Sequence, residues 1–140
     1  EVTAINIEQH ELNDRVSAIQ SDLFSAFDAS AEASFDLIVS NPPYVDAEDL
    51  AQMPAEYSHE PDLALASGED GLDFTRRLLR EAAQYLTEQG VLIVEVGNSS
   101  VALEKAFPQV PFTWLEFSEG DGGVFVITRT QLRQYAEYFS

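Results

Sequence analysis

The chain has 140 residues, 45% of them hydrophobic, enough to bury a core as one domain. It carries 25 acidic residues against 7 basic ones, a formal net charge of −18, so it has little to offer a phosphate backbone, and direct nucleic-acid binding is not expected. A basic protein is the better electrostatic complement. With no cysteine, disulfides and thiolate metal sites are excluded.

The chain opens on Glu1 rather than Met, as though cut from something longer, and "AINIEQHEL" (4–12) has the apolar spacing of the tail of a helix. "NDR" (13–15) reads as a turn, "VSAIQ" (16–20) as a short β-rich run and "SDLF" (21–24) as the exit from it. "FDLIVS" (35–40) is an apolar, β-branched run of the kind expected for a parallel strand covered on both faces. Residues 44–70 show no convincing periodicity and are long for a loop, which predicts a lid or binding loop.

The clearest helix follows. Leu72, Thr75, Leu78, Leu79, Ala82 and Leu86 share one face at a spacing of three to four, with Asp70 as its cap and Gly90 as its left-handed stop. "VLIVEV" (91–96) is a second buried strand, and "SSVALEKAF" (99–107) a short helix with a serine cap, stopped by Pro108. "FTWLEF" (112–117) and "VFVITR" (124–129) flank a Gly- and Asp-rich turn and predict a hairpin, in which Trp114 and Phe117 read as core. A last helix is expected over "QLRQYAEYF" (131–139). The fold class is therefore α/β, a partial doubly wound sheet that is mostly parallel with an antiparallel C-terminal hairpin. The apolar runs are of strand length, so no membrane span is expected.

In open α/β sheets ligands sit outside the carboxyl ends of the strands, and "NPPY" (41–44) lies at such an end. Each proline holds the residue before it in the extended region, and together they remove two N–H donors. The acceptors left are the Asn41 side-chain oxygen and the Pro42 carbonyl, with Tyr44 as a flat wall beside them. Two acceptors and a flat face suit a planar conjugated –NH2 group: both hydrogens are held and the nitrogen is aimed at an electrophile. Glu95 lies near this end of the sheet. His59 and Glu60 read as residues that order the loop, and His10 and His59 lack the spacing of a metal site.

These residues resemble class I S-adenosylmethionine-dependent methyltransferases that act on planar amino groups. "NPPY" alone is shared by DNA adenine-N6 methyltransferases and the HemK-type protein glutamine methyltransferases. "HEPDLALASGEDGL" (59–72) and "GVLIVEVG" (90–97) resemble the HemK-type enzymes. "PFTWLEFSEGDGGVFVITR" (111–129) is similar to the branch that methylates a glutamine of the third large-subunit ribosomal protein. The release-factor branch is the nearest alternative. The resemblance implies that Asn41 and Pro42 bind the substrate amide and act in catalysis with Tyr44, and that Pro43 and Tyr44 shape the pocket. It further implies that Asp22 and Leu23 meet the adenine of S-adenosylmethionine, that the substrate is a basic ribosomal protein, and that the enzyme is cytoplasmic. No Gly-x-Gly turn precedes Asp22, so residues 1–140 are expected to be the C-terminal portion of the catalytic domain. Without the Gly-rich half, cofactor binding is expected to be weak or absent, the fragment inactive by itself, and its sheet edge open to self-association.

Overall fold

The computed structural model describes residues 2–27, 35–42, 70–118 and 122–140, in two compact units divided after Ser30. In the first unit, helix α1 (Val2–Gln9) ends in a turn over residues 13–15. The expected strand at 16–20 does not form: the segment has no partner strand among the described residues, and Val16 and Ile19 are exposed. An isolated strand cannot satisfy its backbone groups, so β propensity is overridden. A turn follows over residues 22–27, with Leu23 at φ +50.

The second unit is built on four strands, β1 (Phe35–Ser40), β2 (Leu86–Glu95), β3 (Thr113–Leu115) and β4 (Val124–Thr128), in the order β1-β2-β4-β3. The β1/β2 pair is parallel and the other two are antiparallel, so the predicted α/β sheet with a C-terminal hairpin is present, but among the described residues it is mixed rather than mostly parallel, because β4 pairs with β2 itself. Between β1 and β2 runs α2 (Asp73–Glu81), followed by a single 3₁₀ turn over Ala82–Gln84. Helix α3 (Ser100–Ala106) links β2 to the hairpin, and α4 (Arg129–Gln134) with a closing 3₁₀ turn (Ala136–Phe139) ends the chain.

The six residues predicted to share the central helix face are buried, but the helix ends at Glu81, Ala82 lies in the 3₁₀ turn, and Leu86 opens β2 instead of extending the helix. Leu72, Thr75, Leu78, Leu79, Ala82 and Leu86 are all at most 2% exposed. Gly90 does not end a helix, however. It lies within β2, where a Cβ would stand 2.9 Å from the Phe35 carbonyl oxygen and 3.0 Å from Leu86 Cβ. Close backbone approach to β1, not a left-handed stop, is what requires glycine there. Asp70 acts just upstream of the helix: its carboxylate accepts from the Leu72 N–H and pairs with Arg76, while the N-cap position is Leu72. Ser99, at the N-cap of α3, makes no side-chain capping bond. Thr128 caps α4 in a reciprocal box with Gln131.

The two faces of the sheet differ. On one, Leu92, Val94, Phe125 and Ile127 are fully buried, and α4 packs against β2. A chain of edge-to-face rings runs through this layer from Phe125 to Phe112, Phe107 and Phe139. On the other, Val91, Ile93, Val124 and Val126 are half-buried, and Leu37 and Val39 of β1 are 52% and 67% exposed. The expectation that residues 35–40 would be covered on both faces is therefore wrong for β1, an edge strand among the described residues. Trp114 is half-buried against Phe125 and donates its indole N–H to Glu104, whereas Phe117 is exposed rather than core.

Candidate functional site

Because β1 and β2 run parallel in register, their carboxyl ends lie together. Ser40 is opposite Val94, the last described pair, so Asn41 and Glu95 are the next residues along the two neighbouring strands. Asn41 is exposed and Pro42 is buried. The proline is anchored and the amide side chain before it is presented to solvent, as an acceptor for a guest requires. Pro43 and Tyr44, the remaining predicted substrate-binding residues, lie outside the described residues, as do His59 and Glu60.

The same end of the sheet is closed by a tight glycine crossing. Gly97 follows β2 at φ +49, and Gly123 precedes β4 at φ +76. The Val96 N–H donates to the Gly123 carbonyl at 2.8 Å, which ties the end of β2 to the hairpin. Glu95, one residue earlier, is thereby held at a fixed point of the sheet, where it pairs with Val124. The sequence signal for this crossing was half visible: Gly122 and Gly123 look like ordinary hairpin glycines until Gly97 is found against one of them.

Asp22 and Leu23, the predicted adenine contacts, lie in the first unit. The Asp22 N–H donates to Ser25 Oγ at 3.1 Å, and its side chain is exposed. His10 is exposed, and among the described residues no group of three or more His, Asp or Glu side chains is placed to hold a metal ion. Two clefts occur among the described residues, of about 420 and 230 Å³, lined by residues of α2, β2 and α4; neither includes Asn41 or Pro42. No helix of the described residues is long and apolar enough to cross a membrane.

A mixed sheet with helices packed against it, whose parallel pair ends in an exposed Asn41 and a buried Pro42, defines an α/β protein, a class in which ligands sit outside the carboxyl ends of strands. Comparison with curated proteins makes the assignment more particular. The chain is 55% identical over 132 residues to the ribosomal protein uL3 glutamine methyltransferase of Neisseria gonorrhoeae, covering 94% of this chain and 43% of that protein. It is 54% identical over 134 residues to the protein of that name from Francisella tularensis, covering 96% and 42%. The resemblance to protein glutamine methyltransferases read from the sequence is thus matched by close relatives. The chain spans about two fifths of the length of these relatives. No family model matches it.

Proposed function

We propose that this chain is part of an S-adenosylmethionine-dependent methyltransferase that methylates the side-chain amide nitrogen of a glutamine in ribosomal protein uL3. The observation that carries the reading is the Asn41–Pro42 segment at the carboxyl end of β1, beside the end of β2, in a chain 55% identical to a protein named for that activity. The Asn41 side-chain oxygen and the Pro42 carbonyl accept from the two hydrogens of the substrate amide, and Pro43 and Tyr44 complete its pocket. Holding both hydrogens fixes the nitrogen in a near-attack position. S-adenosylmethionine supplies the sulfonium methyl when bound. Among the described residues only Asp22 and Leu23 bear on it: Asp22 is exposed, and a carboxylate is chemically suited to the exocyclic amino group of adenine.

The sheet fits a doubly wound, class I arrangement in the longer protein. The half-open face and the free edge of β1 are where further strands and a second helical layer pack in such a fold. The substrate is basic, as the −18 charge favours, and the working compartment is the cytoplasm. Direct nucleic-acid binding is not part of this reading. The 140-residue chain by itself binds the cofactor weakly and self-associates through β1.

The test is methylation of purified uL3 by the full-length protein, with the modified glutamine mapped by mass spectrometry, for the wild type and Asn41→Ala. Turnover by Asn41→Ala is expected to fall at least about 100-fold with little change in cofactor affinity. Unchanged turnover, or methylation of a release factor in preference to uL3, would overturn the proposal.

A further inference from the structure

We infer that Glu95 supplies the negative charge that stabilises the substrate nitrogen as it becomes cationic. The inference rests on the glutamine-methyltransferase reading above and names a residue that reading does not use. Ser40 pairs with Val94 in the parallel β1/β2 ladder, which sets Glu95 one step on, beside Asn41. Paired residues of neighbouring strands point to the same face, about 5 Å apart. Asn41, kept extended by Pro42, continues the alternation of Leu37 and Val39, and Glu95 continues that of Val91 and Ile93. The amide acceptor and the carboxylate therefore lie side by side on the half-open face.

Glu95 is half-buried at the end of the β2 ladder, and no side-chain hydrogen bond or ion pair joins its carboxylate to a described residue. Its antiparallel neighbour is Val124, an apolar residue that cannot offset the charge. In a chain already at −18, a half-buried carboxylate at the strand end is well matched to a positive charge that meets it in use. The reaction provides one. As the amide nitrogen forms its bond to the methyl carbon, the carbon–sulfur bond breaks with its electron pair left on sulfur. The nitrogen then carries a full positive charge until one of its two protons leaves to solvent. The oxygen dipoles of Asn41 and Pro42 hold the cationic nitrogen more tightly than the neutral one, and a fixed carboxylate, carrying a full negative charge, adds a larger preference for the cation. That difference is what lowers a barrier rather than merely tightening substrate binding.

A charged isostere tests this without turnover. Ornithine places an ammonium where glutamine has its amide nitrogen, so a uL3 peptide with ornithine at the mapped position mimics the cationic nitrogen. With the full-length enzyme, Glu95→Gln is expected to weaken binding of the ornithine peptide at least about 10-fold and to change binding of the glutamine peptide less than about threefold. In turnover it is expected to lower kcat about 100-fold with KM nearly unchanged. Glu95→Asp keeps the charge and is expected to keep most of the ornithine preference. Where Glu95→Gln lowers the melting midpoint, Glu95→Asp against Glu95→Asn gives the same contrast. Equal loss for both peptides, or no loss for either, overturns the role of Glu95 while Asn41→Ala still reports on the site. A wild-type enzyme that neither binds nor methylates the glutamine peptide overturns the site reading and this inference with it.

Discussion

Gly123 lies across Gly97 so closely that a Cβ on Gly123 would stand 2.4 Å from the Gly97 carbonyl oxygen and 2.7 Å from its Cα. Both obstacles are backbone, so no side chain can move aside. The crossing joins the end of β2, where Glu95 stands, to the start of β4. Gly123→Ala is expected to cost about 3 kcal/mol or more, combining a left-handed φ of +76 with the clash. Gly122 shares that φ but faces open space, so Gly122→Ala isolates the conformational part, about 1 kcal/mol. Urea midpoints of the two variants give the comparison, and equal losses would contradict the crossing as described.

Asp70 governs the entry to α2. Its hydrogen bond from Arg76, at 2.9 Å, is the main reason its carboxyl is held below the usual carboxylate range, with burial opposing and the Arg76 charge and the Leu72 N–H assisting. A carboxyl with a lowered folded-state pKa stabilises the fold above its unfolded value, about 4, and loses that contribution as pH falls through the folded value. Asp70→Asn is therefore expected to lower stability at neutral pH by about 1 kcal/mol, the pair being part-exposed and screened. The gap between wild type and variant closes as pH drops below about 4. Thermal melts across pH 2.5–7, a range chosen to bracket about 4, test this; a gap that widened on acidification would refute it.

Thr75 is fully buried on α2, and its hydroxyl has no hydrogen-bond partner among the described residues. A buried unpaired hydroxyl carries a desolvation penalty that an apolar isostere removes. Thr75→Val keeps the branched shape and is expected to raise stability by about 1 kcal/mol, measured by urea denaturation. A loss of similar size would mean that the hydroxyl has a partner in solution.

How much of this was legible depended on whether the governing contact was local. The buried face of α2 follows from spacing alone, and all six residues named from it are buried, although the same spacing carried the predicted helix on to Leu86, which belongs to β2. The parallel strand, the hairpin and the Asn41–Pro42 strand end also carry local signals. Gly90 was misassigned because a helix stop and a close strand approach look alike in one dimension; the Phe35 carbonyl that decides between them is 55 residues away. Residues 16–20 look like a strand, but they find no neighbour among the described residues. Phe117 sits just past the end of β3, where the alternation that made it core no longer applies. The proximity of Asn41 and Glu95 is a matter of register, which is fixed by packing across the sheet rather than by either segment.

The exposed edge of β1 sets the behaviour of the isolated chain. Paired with β2 on one side only among the described residues, β1 carries the exposed Leu37 and Val39 at the margin of the sheet, a template for another strand. The −18 charge on each copy opposes association at low ionic strength, and salt screens that repulsion while leaving apolar contact intact. Sedimentation of the 140-residue chain is therefore expected to show concentration-dependent dimers or larger species that increase from about 0.05 to 0.5 M salt, where the screening length falls from roughly 14 to 4 Å. Val39→Lys places a solvated charge on the edge and is expected to shift the chain toward monomer at every salt concentration. In the full-length protein, where the proposed fold covers this edge, the same substitution is expected to impair folding instead of relieving association. An isolated chain that stays monomeric in high salt, or a Val39→Lys variant that associates like the wild type, would show that β1 is not the contact.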